Sequence, residues 1–138
     1  MTSLAERILA LELGEDTREL AVEFLTVVTG IDHTTVNLEE FPDAAEHFPA
    51  GIGRVEDGIG VLPVANPLKD EKAIARLERV YLPESAIVNV SVQPYSDCNV
   101  TIEQDGHVVI DVTAKTEPFA RSAALARAVA IQHVLGED

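Results

Sequence analysis

The sequence predicts an α+β fold: an antiparallel sheet of about three to five strands, helices packed on one face, and an N-terminal helical hairpin. Three observations lead there. Apolar residues recur at helical spacing over 4–28 and again over 119–134. Between these segments, residues 88–113 alternate apolar and polar. Asp105-Gly106 within that stretch is a two-residue hairpin signal. The 138 residues suit one domain, and a 46% hydrophobic share is enough for a core. With no Trp and only 4% aromatics, that core is aliphatic. The expected organisation is a helical hairpin over 1–30, an irregular acidic region over 31–66, and a helix, β-meander and closing helix over 67–138.

Ser3 and Glu6 form a Ser-x-x-Glu capping box, with Leu4, Ile8 and Leu11 at helical spacing, Leu9 and Leu13 widening the stripe, and Gly14 as the stop. Asp16 and Glu19 repeat the start signal. Leu20, Phe24, Val27 and Val28 then line one face of a second helix that Gly30 ends. Residues 31–66 are punctuated by Pro42, Pro49 and Pro63 and by four glycines. There Pro42 can open a single helical turn, and Asp57-Gly58 can join short strands at Arg54-Val55 and Ile59–Val64. Lys69-Asp70 opens a third helix with Ala73, Ile74 and Leu77 inward and Pro83 as its limit. Val88, Val90 and Val92 share one face of the first meander strand, Val100 and Ile102 that of the second, and Val108, Ile110 and Val112 that of the third. Thr116 or Glu117 caps the closing helix, which carries Phe119, Ala123, Ala126, Ala130 and Val134 on one stripe, with Leu125, Val129 and Ile131 beside it.

Charge is the strongest compositional signal: 24 Asp and Glu against 10 Lys and Arg, a net charge of -14. Residues 1–57 hold 13 acids against Arg7, Arg18 and Arg54, a net of -10, and the remainder nets only -4. No Lys or Arg falls between Arg18 and Arg54. Such a surface repels nucleic acid and anionic membrane, so neither is expected as a direct partner. Uniform salt adaptation would spread the acids more evenly. A solvated acidic surface from salt adaptation or selection for solubility stays one reading, and the concentration shifts the balance toward the other, a binding face carried by Glu19, Glu23, Glu39, Glu40, Asp43 and Glu46, where like charges need a solvated or matched environment.

Chemical motifs are absent. His33, His47, His107 and His133 are scattered and read as surface histidines, not as metal ligands. Ser96-Asp97-Cys98-Asn99 carries nucleophile-type residues but no local base, and reads as a polar bend. Gly51-Ile52-Gly53 lacks the third glycine of a dinucleotide loop, Glu56 standing in its place, and no Walker sequence occurs. The sheet-then-helix ending lacks the lysine cluster of a double-stranded-RNA-binding domain. No enzyme, metal or cofactor is therefore expected. Cys98 is the only cysteine, and no run approaches the roughly 18 apolar residues of a membrane span. A cytoplasmic location is expected, without secretion.

Three stretches resemble small hypothetical proteins of bacteriophages and prophages, described as having a phage α-β-α (ABA) sandwich domain. They are Leu4–Ile8 leading to Thr17-Arg18-Glu19-Leu20; Asn66–Ala73 with Leu82-Pro83; and the Asp105-Gly106 hairpin followed by Ala114–Glu117 and Ala120–Ala126. The resemblance brings no activity with it. It implies a viral origin and favours either interference with a host protein or a virion role. The expected function is thus a non-enzymatic phage-like protein, a nucleic-acid mimic or an inhibitor, that binds a basic surface of a host defence or transcription protein. The alternative is a structural protein that self-associates through strand edges and the alanine face of its last helix.

Overall fold

A computed structural model describes residues 3–36, 42–58, 60–92 and 97–135. In chain order the elements are α1 (Leu4–Leu9), α2 (Arg18–Thr29), β1 (His33–Thr35), a 3-10 turn (Pro42–Glu46), β2 (Ile52–Glu56), β3 (Gly60–Pro63), α3 (Glu71–Tyr81), β4 (Ile87–Val92), β5 (Cys98–Gln104), β6 (His107–Ala114) and α4 (Glu117–Leu135). The fold is α+β, as expected. Its strands divide between two three-stranded antiparallel sheets, β1-β2-β3 and β4-β5-β6.

Ser3 Oγ accepts the Glu6 N–H at 3.1 Å and starts α1 as anticipated. The helix stops at Leu9, short of Gly14. Beyond it, the Glu12 N–H goes to the Glu15 carboxylate at 2.9 Å, so a side chain takes a donor that a longer helix would need. Leu11 still reaches the core, whereas Leu13 faces solvent. Helix α2 ends as expected at Gly30, whose φ of 72° is a left-handed cap that glycine adopts at low cost. Its buried face is Ala21, Phe24, Leu25 and Val28, rotated from the anticipated stripe, so Val27 is exposed.

The region expected to be irregular contains a small sheet. The anticipated β2–β3 hairpin forms around Asp57-Gly58, with Glu56 opposite Gly60. β1 adds to its other edge, pairing His33 with Arg54 and Thr35 with Ile52. Three residues give too short a period for a sequence reading to detect. Gly53 has a steric reason: a Cβ there would collide with Val61 Cγ1 and lie 3.3 Å from Phe48 Cε1. The turn at Pro42 forms as a 3-10 segment.

α3 starts where Asp70 Oδ1 accepts the Lys72 N–H at 2.9 Å, and it buries Ile74 and Glu78. In the second sheet Val100, Ile102, Ile110 and Val112 are buried. A register shift at Ile102/Glu103 places Val108 opposite Glu103, and Val108 is exposed rather than inward. On edge strand β4, Val90 and Val92 remain 38% and 64% exposed, because α4 contacts β5 and β6 and leaves the end of β4 uncovered.

α4 is the central element, in contact with α1, α2, α3, β5 and β6. Phe119, Ala120, Ser122, Ala123, Ala124 and Leu125 are all buried, which surrounds the helix instead of marking a single stripe. Small side chains let neighbours approach from every side. Ala120, Ala123, Ala124, Ala126 and Ala128 are therefore interior, which removes most of the expected alanine subunit surface, while Ala130 is exposed.

Two polar ties fix α4's neighbours. The Ser122 hydroxyl donates to the Pro67 carbonyl at 3.3 Å. Buried Asn66 donates from Nδ2 to Thr17 Oγ1 at 2.9 Å and accepts the Leu68 N–H at 2.9 Å. Asn66 thus links the start of α2 to the turn before α3. Both of its bonds are buried, where an unmet donor or acceptor would cost about 1–3 kcal/mol.

Candidate functional site

The acids nominated from sequence divide by environment. Glu19 on α2 is exposed, as are Asp43 and Glu46 on the 3-10 turn. Glu23, one turn along α2, is half-buried and accepts from Arg7 Nη1 at 2.6 Å. The anticipated Glu19–Glu23 repulsion is thereby offset at one end by a cation from α1. Glu39 and Glu40 lie outside the described residues.

All three arginines of residues 1–57 are engaged by local acids. Arg7 pairs with Glu23, Arg18 with Asp16 at 2.7 Å, and Arg54 with Glu56 at 3.2 Å. Arg18 grips Asp16 through both Nε and Nη2, and the Asp16 Oδ1 also accepts the Arg18 backbone N–H at 3.0 Å. These bonds, the Arg18 side chain foremost, lower the Asp16 pKa to about 2. A cation from the other end of the chain, Lys115, reaches Glu12. Glu6, Glu15, Glu19, Asp32, Asp43, Glu46 and Asp57 have no ion-pair partner among the described residues. The uncompensated charge thus includes three of the four described acids nominated for binding.

A cleft of about 700 Å³ opens between the α1–α2 turn, Pro49-Ala50 and the Pro63–Asp70 segment. Its charged lining is Glu15, Asp16 and Asp70 against Arg18 and Lys69. Asn66 contributes to its wall while bonded to Thr17. Pro49 follows the 3-10 turn by three residues and Glu19 follows Arg18 by one, so the cleft wall joins the chain segments that carry Asp43, Glu46 and Glu19.

The nucleophile-type and histidine residues are not assembled. Cys98 is buried at the start of β5 opposite Ala114, while His107 pairs with Gln104 at the far end of the same ladder. Burial, and next the Glu117 charge, push the Cys98 thiol pKa up, which suppresses the reactive thiolate. Ser96 lies outside the described residues. His33 departs from the surface reading: it is only 9% exposed on β1, and its Nδ1–H donates to the Ile31 carbonyl at 2.7 Å. Among the described residues no three His, Cys, Asp or Glu side chains group as a metal site, and no helix is long and apolar enough to cross a membrane.

One buried polar cluster was not anticipated. Arg121 of α4 binds Glu78 of α3 through two nitrogens and Glu117 through Nη1 at 3.1 Å. Hydrogen bonding to Glu78, and then the charges of both acids, raise the Arg121 pKa against the opposing effect of burial. The Glu117–Arg121 spacing of four is legible on a helix. The Glu78–Arg121 pair spans 43 residues and is not. It ties α3 to α4, and both partners line a cleft of about 450 Å³ together with Arg79, Leu82, Pro83 and Glu84. No protein-family model, curated protein or solved structure matches this chain.

Proposed function

We propose that the chain is a non-enzymatic binding protein whose acidic N-terminal half docks on a basic surface of another protein. The observation that carries this reading is the distribution of ion pairs. Arg7, Arg18 and Arg54 are each held by a neighbouring carboxylate, while Glu19, Asp43 and Glu46 stay exposed and unpaired among the described residues. Their field is therefore available to a partner, and unbalanced charge of one sign steers association and rejects partners of like sign. A groove built for nucleic acid is one fitting surface, since duplex DNA places a charge about every 1.7 Å along its axis. The phage resemblance makes a host defence or transcription protein the expected owner of that groove. Capture of partners from host lysate over a salt series tests the proposal. The expected partner is retained at low salt and released as salt rises. Retention of nothing at low salt, or retention indifferent to salt, overturns it.

A second reading, self-assembly, draws on β4. Ile87, Val90 and Val92 are exposed on a strand that pairs only with β5 among the described residues. The strand carries no charged residue of the kind that blocks edge pairing. Light scattering separates the two readings, because a strict monomer removes the second.

A further inference from the structure

The charged groups of a groove toward the C-terminal end of α2 run against the chain's overall sign. We infer that this groove, between α2, the β1–β2–β3 sheet and α3, binds a small monoanionic amphiphile, with its head at Arg54, Arg76 and His33 and its apolar body along Leu62, Leu77 and Val80. The groove measures about 390 Å³, within the span of roughly 300–1,000 Å³ usual for small-ligand sites. Arg54, Arg76 and His33 line it and no carboxylate does. That is an unexpected lining for a protein with 24 acids and 10 bases. Glu56 pairs with Arg54 from outside the lining, and Arg76 has no ion pair among the described residues.

Two details point to an acceptor with an apolar tail. Arg54 Nε is buried without a hydrogen-bond partner, a donor left unmet by the protein itself. His33 Nδ1–H is committed to the Ile31 carbonyl, so the ring is fixed in orientation and its other nitrogen has no partner among the described residues. The apolar lining continues outward: Val80 is 70% exposed and Ile31 is also exposed at the groove. A carboxylate or sulfonate head on a short hydrocarbon matches a cationic floor with an apolar rim, whereas a bare anion leaves the rim wet.

The test titrates the full chain with decanoate, with decyltrimethylammonium and with acetate, following backbone amide NMR shifts. Decanoate is expected to bind saturably at one site, shifting residues 25–33, 54, 62–64 and 76–81. The cation with the same tail and the head without a tail are expected to bind far more weakly. Arg76→Gln, at an exposed position on α3, should weaken decanoate by on the order of ten-fold, the worth of one charge-assisted contact. Val80→Glu, also exposed, should weaken it at least as much, and Arg54→Gln should agree if its melting curve shows it folded. Absence of saturable decanoate binding overturns the assignment. So does equal affinity for the cationic amphiphile, an unchanged Arg76→Gln variant, or shifts centred on the cleft of residues 14–18 and 63–70.

Discussion

Replacing Arg121 with methionine removes the cation held between Glu78 and Glu117. The side chains of Arg121 and Glu78 are only 16% and 9% exposed, so solvent from the adjoining cleft replaces only part of what Glu78 loses. Breaking a buried pair from one side costs about 3–5 kcal/mol, against a total stability of about 5–15 kcal/mol for a domain. The unfolding entropy, about 2.1 cal/mol/K per residue over 138 residues, converts that loss to a Tm lower by about 10–17 °C. Glu78→Gln leaves Arg121 with Glu117 at 3.1 Å, and it should cost less, about 1–3 kcal/mol. The double variant Glu78→Leu/Arg121→Met removes both charges and should recover most of the stability lost in Arg121→Met. Urea denaturation followed by circular dichroism measures all three. A loss below about 1 kcal/mol for Arg121→Met, the range of a surface pair, would refute the buried-pair reasoning. So would a double variant no more stable than the single one.

Asp16 should titrate near pH 2, against its ordinary 3.8. Its pKa is lowered on folding, so its contribution favours the folded state above about 3.8 and is lost as pH falls through about 2. A carboxyl carbon NMR titration checks this, and Arg18→Gln should raise the midpoint toward the ordinary value without restoring it fully, because the backbone N–H of residue 18 still donates to Asp16. Gly53→Ala should destabilise by about 1–3 kcal/mol, because a Cβ there meets Val61 and Phe48; equal urea midpoints for variant and wild type would contradict it. Val92→Lys on the edge strand should abolish any concentration-dependent light scattering without changing the monomer's melting temperature.

What the sequence made legible follows the range of the interactions. The Ser3 and Asp70 caps, the Gly30 stop, the Asp57-Gly58 and Asp105-Gly106 turns and the β5–β6 alternation are all written within a few residues. β1 was hidden because a three-residue strand has no period and owes its existence to β2, some twenty residues away in sequence. The all-round burial of α4 was hidden because a helix rich in alanine carries little amphipathic contrast. Val108 was misplaced by a bulge that a strict period of two does not reveal. At the candidate site, the excess of acids was visible in composition, but its pairing was not. Only the fold shows that Arg7 reaches Glu23 from α1, or that Lys115 reaches Glu12 across 103 residues. The cationic groove was invisible for the same reason, since His33, Arg54 and Arg76 come from three separate elements.

The most direct test of the acidic docking face compares two charge-reversed proteins with wild type in one capture experiment. The first carries Glu19→Lys, Asp43→Lys and Glu46→Lys on the proposed face; the second carries Glu103→Lys, Asp105→Lys and Asp111→Lys on the β5–β6 hairpin. Both change net charge by the same amount, so a nonspecific charge effect would alter them equally. The docking account predicts that the first variant loses the partners wild type retains at low salt, while the second keeps them. Equal retention by the two variants, or loss confined to the hairpin variant, would contradict it.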